Sequence, residues 1–183
     1  MPERGPDGLL TPYSDEEVRR IIAEYAASLA CRLPSYEAPP YRGLLLRAFT
    51  HQGGDYHLGP VIQLGVWADG QLVGACSFER DISAEVDEDY PAAWIAQSLF
   101  VHPDNQRRGI GALMLRTLRQ LAGLPLAPDT HISRASAELW ATLRDALECP
   151  LTPQDATTDP AIAAFRRSAH ALVADATSRY QEA

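Results

Sequence analysis

The spacing of apolar positions predicts a helix near the start of the 183-residue chain. The segment that follows Ser14 places apolar residues three to four positions apart, at Val18, Ile21, Ile22, Tyr25 and Leu29. This periodicity predicts an amphipathic helix over about 15–31. Glu17, three positions after Ser14, completes a capping-box pattern at the helix start.

The centre of the chain instead shows short β-rich runs. Residues 61–68 and 71–79 are two such runs joined through Asp69 and Gly70, and Asp-Gly between β-rich runs predicts a tight hairpin. Residues 92–101, "AAWIAQSLFV", predict a third strand that is apolar enough to be buried on both faces. The earlier run 41–49 fits either a strand or a short helix that begins after the prolines.

Helical periodicity returns in the second half. Apolar residues on one helix face are Ile110, Leu113, Met114, Leu118 and Leu121. Gly123 is placed to end this helix, and a short, weak strand is expected around 129–133. Further helices are predicted over 134–147 and 159–181. Because strands and helices alternate here, the pattern predicts an α/β (α+β) protein with a mixed sheet.

The length suits one domain. We expect a flexible N-terminus over 1–13, a single domain over 14–150, and a helical extension over 151–183. The extension has an apolar face of its own. It is expected to pack on the same domain, with a homodimer contact as the alternative.

Charge and cysteine usage narrow the class of partner. The formal net charge is −8 and the pI is about 5.0, which argues against nucleic acid as a partner because phosphate binding needs a basic surface. The negative net charge suits a cationic or amine substrate, although many proteins that bind no cation are also acidic.

Cys31, Cys76 and Cys149 show no metal-ligand spacing, so no metal is expected. The first residues, "MPERGPDGLLTP", contain no long apolar stretch, so no membrane segment is expected and the predicted compartment is cytoplasmic.

One stretch, "VHPDNQRRGIGALML" (101–115), has the properties of an anion site. A strand that enters a helix through a polar turn leaves the first helical N–H groups unpaired, and the helix dipole adds positive charge there. Gly109 and Gly111 lack a Cβ, so an anion can approach the backbone. Arg107 and Arg108 add full positive charges. The arrangement predicts a phosphate or pyrophosphate ligand, and the alternative is a basic surface turn.

The run Gln106-Arg107-Arg108-Gly109-Ile110-Gly111 resembles the Q/R-x-x-G-x-G/A signature of the GNAT superfamily of acyl-CoA-dependent N-acetyltransferases. The flanking "SLFVHP" and "ALMLRTL" resemble the strand and the helix on either side of that signature. The resemblance implies a mostly antiparallel central sheet flanked by helices, here with an extra C-terminal helix. It also implies acetyl-CoA as co-substrate. The residues expected to hold it are Leu99, Phe100, Val101, Gln106, Arg107, Arg108, Gly109, Ile110, Gly111, Ala112 and Ser133.

The sequence departs from the family at the catalytic positions. Many relatives carry a glutamate on the central strand as proton acceptor, and Gln97 stands there in this chain. An amide does not accept a proton at neutral pH, so Gln97 is a candidate for positioning water and Glu79 for the base, with the acidic residues of 81–89 as further candidates. Downstream, Trp140 stands where relatives have a tyrosine that protonates the leaving thiolate. His131 and Tyr90 are candidate substitutes.

These features predict direct transfer of an acetyl group from acetyl-CoA to a primary amine of a small cationic molecule. The alternative is a catalytically silent acyl-CoA-binding sensor or regulatory module, which the residues at 97 and 140 keep open.

Overall fold

The structure, a computed structural model, describes residues 5–6, 8–53, 59–82, 93–129, 132–148 and 159–182. The helices are α1 (Asp15–Ala30), α2 (Ile110–Ala122), α3 (Arg134–Glu148) and α4 (Pro160–Glu182). The strands are β1 (Tyr36–Glu37), β2 (Leu44–His51), β3 (Val61–Ala68), β4 (Gln71–Arg80), β5 (Trp94–Val101) and β6 (Leu126–Ala127). A 3-10 turn, Pro103–Asn105, lies between β5 and α2.

The six strands form one mixed sheet in the order β1-β2-β3-β4-β5-β6. Every neighbouring pair is antiparallel except β5 and β6, which run parallel. The predicted fold class, a mostly antiparallel sheet flanked by helices, is confirmed.

Local sequence signals define the start of α1 and the turn of the central hairpin. The Ser14 N–H donates to Glu17 Oε2 at 2.8 Å, and the Glu17 N–H donates to Ser14 Oγ at 3.3 Å, so the predicted capping box is present. Asp69 and Gly70 have φ values of 49° and 77°. A tight hairpin turn of this kind needs positive φ at both central residues, and Asp-Gly supplies them.

The ambiguous run 41–49 contributes to strand β2, because every residue of Leu44–His51 pairs with a residue of β3. Pairing with β3 makes this run a strand and not a helix. The spacing of apolar residues in the sequence cannot reveal such a partner.

The two faces of the sheet are covered by different helices. The larger core lies under α2, α3 and α4, and the smaller one lies under α1. Ala75 and Cys76 are adjacent on β4 but belong to different cores, because successive side chains of a strand point to opposite faces. Phe165 of α4 is buried in the larger core, which ties the C-terminal helix to the sheet.

The last strand differs from its predicted position. A strand was expected around 129–133, but β6 is Leu126–Ala127. Leu126 is fully buried beside Trp94 of β5. The next residue, Pro128, has no N–H to donate to a sheet ladder, which explains why pairing stops there.

The expectation that β5 is buried on both faces is wrong for its second half. Trp94 and Ala96 are buried, whereas Gln97 is exposed and residues 98–101 are half-buried. The reason is that β6 pairs only with Trp94 and Ile95. Beyond that point, no described residue pairs with β5 as a strand on this side.

Within the described ranges, none of the helices has the length and apolar character needed to cross a membrane. The same residues bring together no group of three or more His, Cys, Asp or Glu side chains that could hold a metal ion.

Candidate active site

A β-bulge at Gln97 sets the directions of the side chains along β5. Ser98 pairs with Ser77 of β4 and Ala96 pairs with Phe78, which leaves Gln97 without an opposite residue. The extra residue reverses the alternation of the strand. As a result Ala96 and Leu99, three positions apart, both contact the larger core, while Phe100 contacts the smaller core under α1.

A cavity of about 140 Å³ opens where β5 loses its parallel neighbour. Its walls come from the N-terminal segment, from β5, from the chain after β6 and from α3. The lining residues are Leu10, Thr11, Tyr13, Ala96, Gln97, Ser98, Leu99, Phe100, Asp129, Ile132, Ser133, Ser136 and Trp140. The cavity therefore lies along β5 at the point where β5 and β6 part.

The turn between β5 and α2 forms a cradle of backbone groups. Arg107 and Gly109 both have left-handed backbones, with φ values of 58° and 78°. A side-chain bond ties the turn to the strand, since Gln106 Nε2 donates to the Val101 carbonyl at 3.3 Å. Backbone turns of this kind and helix N-termini present N–H groups to anions.

The two glycines of the cradle have different surroundings. A Cβ added at Gly109 would meet no atom within 4 Å, so this backbone is open. A Cβ at Gly111 would lie 3.1 Å from Leu139 Cδ2 of α3. The space beside Gly109 is therefore open, whereas Gly111 lies against α3. Position 111 requires a small residue because α2 and α3 pack closely there.

The turn carries two arginines. Arg107 and Arg108 are both exposed. Arg108 donates to the neutral amide oxygen of Asn105 at 2.9 Å. In the described part of the chain, the Arg107 guanidinium makes no ion pair. Among the described residues, the turn therefore combines open backbone at Gly109 with two exposed cations.

The two predicted catalytic residues lie in different surroundings. Gln97 lines the cavity. Glu79 lies on β4 opposite Ile95, accepts a hydrogen bond from the Gly59 N–H at 3.3 Å, and is not among the cavity-lining residues. Of the other candidates, Tyr90, His131 and the acidic residues at 85–89 lie outside the described residues.

Ser133 and Trp140 line the cavity from the α3 side. Ser133 Oγ accepts the Ser136 N–H at 3.3 Å and thereby caps the start of the helix. Trp140 is only 6% exposed, and its ring lies 6.5 Å from that of Phe78, centroid to centroid. An indole in this position has no acidic proton to give to a thiolate at neutral pH.

Two features of the cavity could not be anticipated from the sequence. The Tyr25 hydroxyl lies 2.5 Å from Ser98 Oγ, although the residues are 73 positions apart. In the helical pattern Tyr25 counts only as an apolar residue. Asp129 contributes a carboxylate to the wall, and it falls in a segment where the sequence indicated a strand.

Comparison with known proteins identifies the domain. Residues 62–146 match the family model of the acetyltransferase (GNAT) domain. This part of the chain is a GNAT acetyltransferase domain. It contains β3 to β5, the cradle, α2 and most of α3, so the predicted family is confirmed. No curated protein matches the sequence.

Two solved structures resemble the chain at low sequence identity. A ribosomal-protein-alanine N-acetyltransferase from Brucella melitensis biovar Abortus 2308 is 19% identical, with a TM-score of 0.38, over 50% of this chain and 64% of that one. A mutant cAMP-binding acyltransferase from Mycobacterium smegmatis is 15% identical, with a TM-score of 0.47, over 88% of this chain and 61% of that one. The chain therefore spans less than two thirds of either structure.

Proposed function

We propose that this GNAT domain transfers an acetyl group from acetyl-CoA to a primary amine of a small cationic molecule by direct attack. The observation that carries the proposal is the continuity of β5. Leu99 and Phe100 of this strand line the cavity, and the strand ends at the positively charged cradle. A long, thin substrate with an anionic end fits such a slot.

The residues of the cradle bind the pyrophosphate in this proposal. The N–H groups from Gln106 to Ala112 supply the donors, including those of Gly109, Ile110 and Gly111, and Arg107 and Arg108 supply the charge. The backbone of Leu99, Phe100 and Val101 pairs with the pantetheine arm, and Ser133 borders it from α3. The bond from Gln106 to the Val101 carbonyl supports this assignment because it couples the cradle to the end of the strand.

The chemistry then depends mainly on positioning. An amine held beside the thioester attacks the carbonyl carbon, whose oxygen gains negative charge, and a fixed backbone N–H of β5 stabilises it. Gln97, at the bulge, orients a water that carries the amine proton away. The Asp129 carboxylate in the cavity wall and the net charge of −8 favour a cationic acceptor.

The test combines binding and turnover. Calorimetry measures binding of CoA, and release of free thiol from acetyl-CoA is followed with a panel of polyamines, aminoglycosides, amino-acid derivatives and lysine peptides. We expect micromolar CoA binding and thiol release with at least one small cationic amine. Binding without amine-dependent release across the panel would favour the silent acyl-CoA-binding module.

A matched pair of variants locates the binding site. Arg107→Glu reverses a charge on the cradle, and Arg116→Glu reverses an exposed charge on α2 away from it. Loss of one phosphate contact and introduction of a like charge should weaken CoA binding about 10- to 100-fold in Arg107→Glu. Equal binding by the two variants would contradict a pyrophosphate site in the cradle.

A further inference from the structure

The leaving group of the proposed reaction needs a hydrogen-bond donor. Breaking the thioester C–S bond leaves negative charge on sulfur, and the tyrosine that serves this sulfur in relatives is replaced here by Trp140. The described walls of the cavity contain one hydroxyl that lies on β5 itself, that of Ser98.

The bulge places Ser98 between α1 and the cavity. Ser98 faces α1, where its Oγ lies 2.5 Å from the Tyr25 hydroxyl, and it also forms part of the cavity wall. Ser77 stands opposite Ser98 on β4. Ser98 and Tyr25 therefore meet beside the exposed Gln97.

Either hydroxyl can donate in the Tyr25–Ser98 hydrogen bond. Burial raises the pKa of Tyr25 above its ordinary value. The phenol is therefore neutral near pH 7 and keeps a proton to donate. When Tyr25 donates to Ser98 Oγ, the hydroxyl hydrogen of Ser98 is turned away from Tyr25 and is available to the cavity.

We propose that Ser98 donates a hydrogen bond to the thioester sulfur as the C–S bond breaks, and that Tyr25 acts as a positioning residue that holds the Ser98 hydroxyl in that orientation. The proposal rests on the proposed acetyl transfer. In the step, the amine nitrogen forms the new C–N bond and its extra proton passes to water. The electron pair of the C–S bond goes to sulfur, which leaves as a thiolate hydrogen-bonded to Ser98. Ser98 keeps its proton throughout.

The first test needs no turnover. CoA is bound to the protein, and its thiol is titrated through the ultraviolet absorbance of the thiolate. A donor beside the sulfur stabilises the thiolate, so the bound thiol should titrate about one pH unit higher in Ser98→Ala than in the unchanged protein. Ser98→Thr retains the hydroxyl and should titrate like the unchanged protein. Asp129 lies in the same cavity and is left intact in every variant, so its effect on the thiol is common to all of them.

The second test measures turnover with the acceptor amine found above. Loss of a hydrogen bond to a charged atom should lower kcat about 10- to 100-fold in Ser98→Ala, with little change in the affinity for CoA. Tyr25→Phe should lower kcat by less, about 3- to 10-fold, because Ser98 remains but is free to rotate. The double variant should be no slower than Ser98→Ala alone, because Tyr25 acts through Ser98.

Tyr36→Phe is the control for loss of a phenol. Tyr36 is also half-buried with a raised pKa, but it lies on β1 against Phe165, away from the cavity. Its substitution should change neither the titration of the bound CoA thiol nor kcat. Thermal unfolding verifies that each variant is folded.

The outcomes separate the two proposals. If CoA binds but Ser98→Ala leaves the thiol titration unchanged, the role of Ser98 is overturned and the acetyltransferase proposal is unaffected. Equal effects of Ser98→Ala and Ser98→Thr would also overturn it, since packing rather than the hydroxyl would then be responsible. If CoA does not bind the unchanged protein, the proposed function fails and the role of Ser98 fails with it.

Discussion

Leu10 donates its backbone N–H to the carbonyl of Ile132 at 3.1 Å, which attaches the N-terminal segment to the chain that enters α3. Three residues later, the Tyr13 ring meets Phe100 of β5 edge-on, with the centroids 5.5 Å apart. Together these contacts make residues 10–13 one wall of the candidate active-site cavity.

Removing this hydrogen bond should loosen that wall. Leu10→Pro deletes the donor and should accelerate proteolytic trimming of the first 13 residues several-fold, because a lost hydrogen bond corresponds to about 1 kcal/mol. Leu10→Ala keeps the N–H and is the control for loss of the side chain. Limited proteolysis followed by mass spectrometry gives the rates, and equal trimming of the two variants would contradict the role of the bond.

The left-handed backbone at Gly109 predicts a specific pattern of substitutions. Gly109→Ala places a Cβ at φ +78°, where the surroundings are open but the conformation is strained. It should reduce the free energy of unfolding by about 1–2 kcal/mol. Asparagine tolerates this region better, so Gly109→Asn should lose less. Chemical denaturation measures both, and an Ala variant as stable as the unchanged protein would show that Gly109 does not need positive φ.

The two described cysteines should differ sharply in reactivity. Cys31 is exposed, whereas burial raises the pKa of Cys76 to about 12. Because the thiolate is the reactive form, iodoacetamide at pH 8 should modify Cys31 in the folded protein and should reach Cys76 only after unfolding. Peptide mass spectrometry distinguishes the sites, and rapid modification of Cys76 in the native protein would contradict its burial.

The same thiol contributes to the alkaline limit of stability. The folded pKa of Cys76, about 12, is above the ordinary value of 9.0, so deprotonation favours the unfolded chain. Its contribution is complete below pH 9 and is lost as pH rises from 9 towards 12. Cys76→Ala should therefore show a shallower fall in the free energy of unfolding over that window. If the free energy of unfolding falls equally steeply with pH in the two proteins, Cys76 does not contribute to the alkaline limit.

Arg166 fastens the C-terminal helix to α2. Its Nε and Nη2 atoms donate to the Gln120 carbonyl at 3.0 and 2.5 Å, near the end of α2. Arg166→Ala should lower the free energy of unfolding by about 1.5–3 kcal/mol, the range for a hydrogen bond to a charged group. Arg167→Ala removes an exposed neighbouring arginine and should have little effect. Chemical denaturation measures both variants. Similar losses in the free energy of unfolding for the two would contradict the specific role of Arg166.

The sequence by itself determined the features that depend on a few consecutive residues. Ser14 and Glu17 define the start of α1, Asp69 and Gly70 define the hairpin turn, and Gly123, at φ +69°, ends α2. The signature from Gln106 to Gly111 identified the family. Each of these signals is local, because backbone dihedrals and capping bonds involve residues close together in the chain.

Only the tertiary structure decided where strands pair and where they part. The strand state of Leu44–His51 depends on β3, and the position of β6 depends on the burial of Leu126 beside Trp94. The bulge at Gln97 is a property of the register between β4 and β5.

The candidate site combines both kinds of information. The sequence indicated the cradle, but the meeting of Tyr25 with Ser98 across 73 positions needs α1 to lie on one face of the sheet. It also needs the bulge to turn Ser98 towards that face. No periodicity contains this information, because it arises from packing between elements that are distant in the chain and from the register of their pairing.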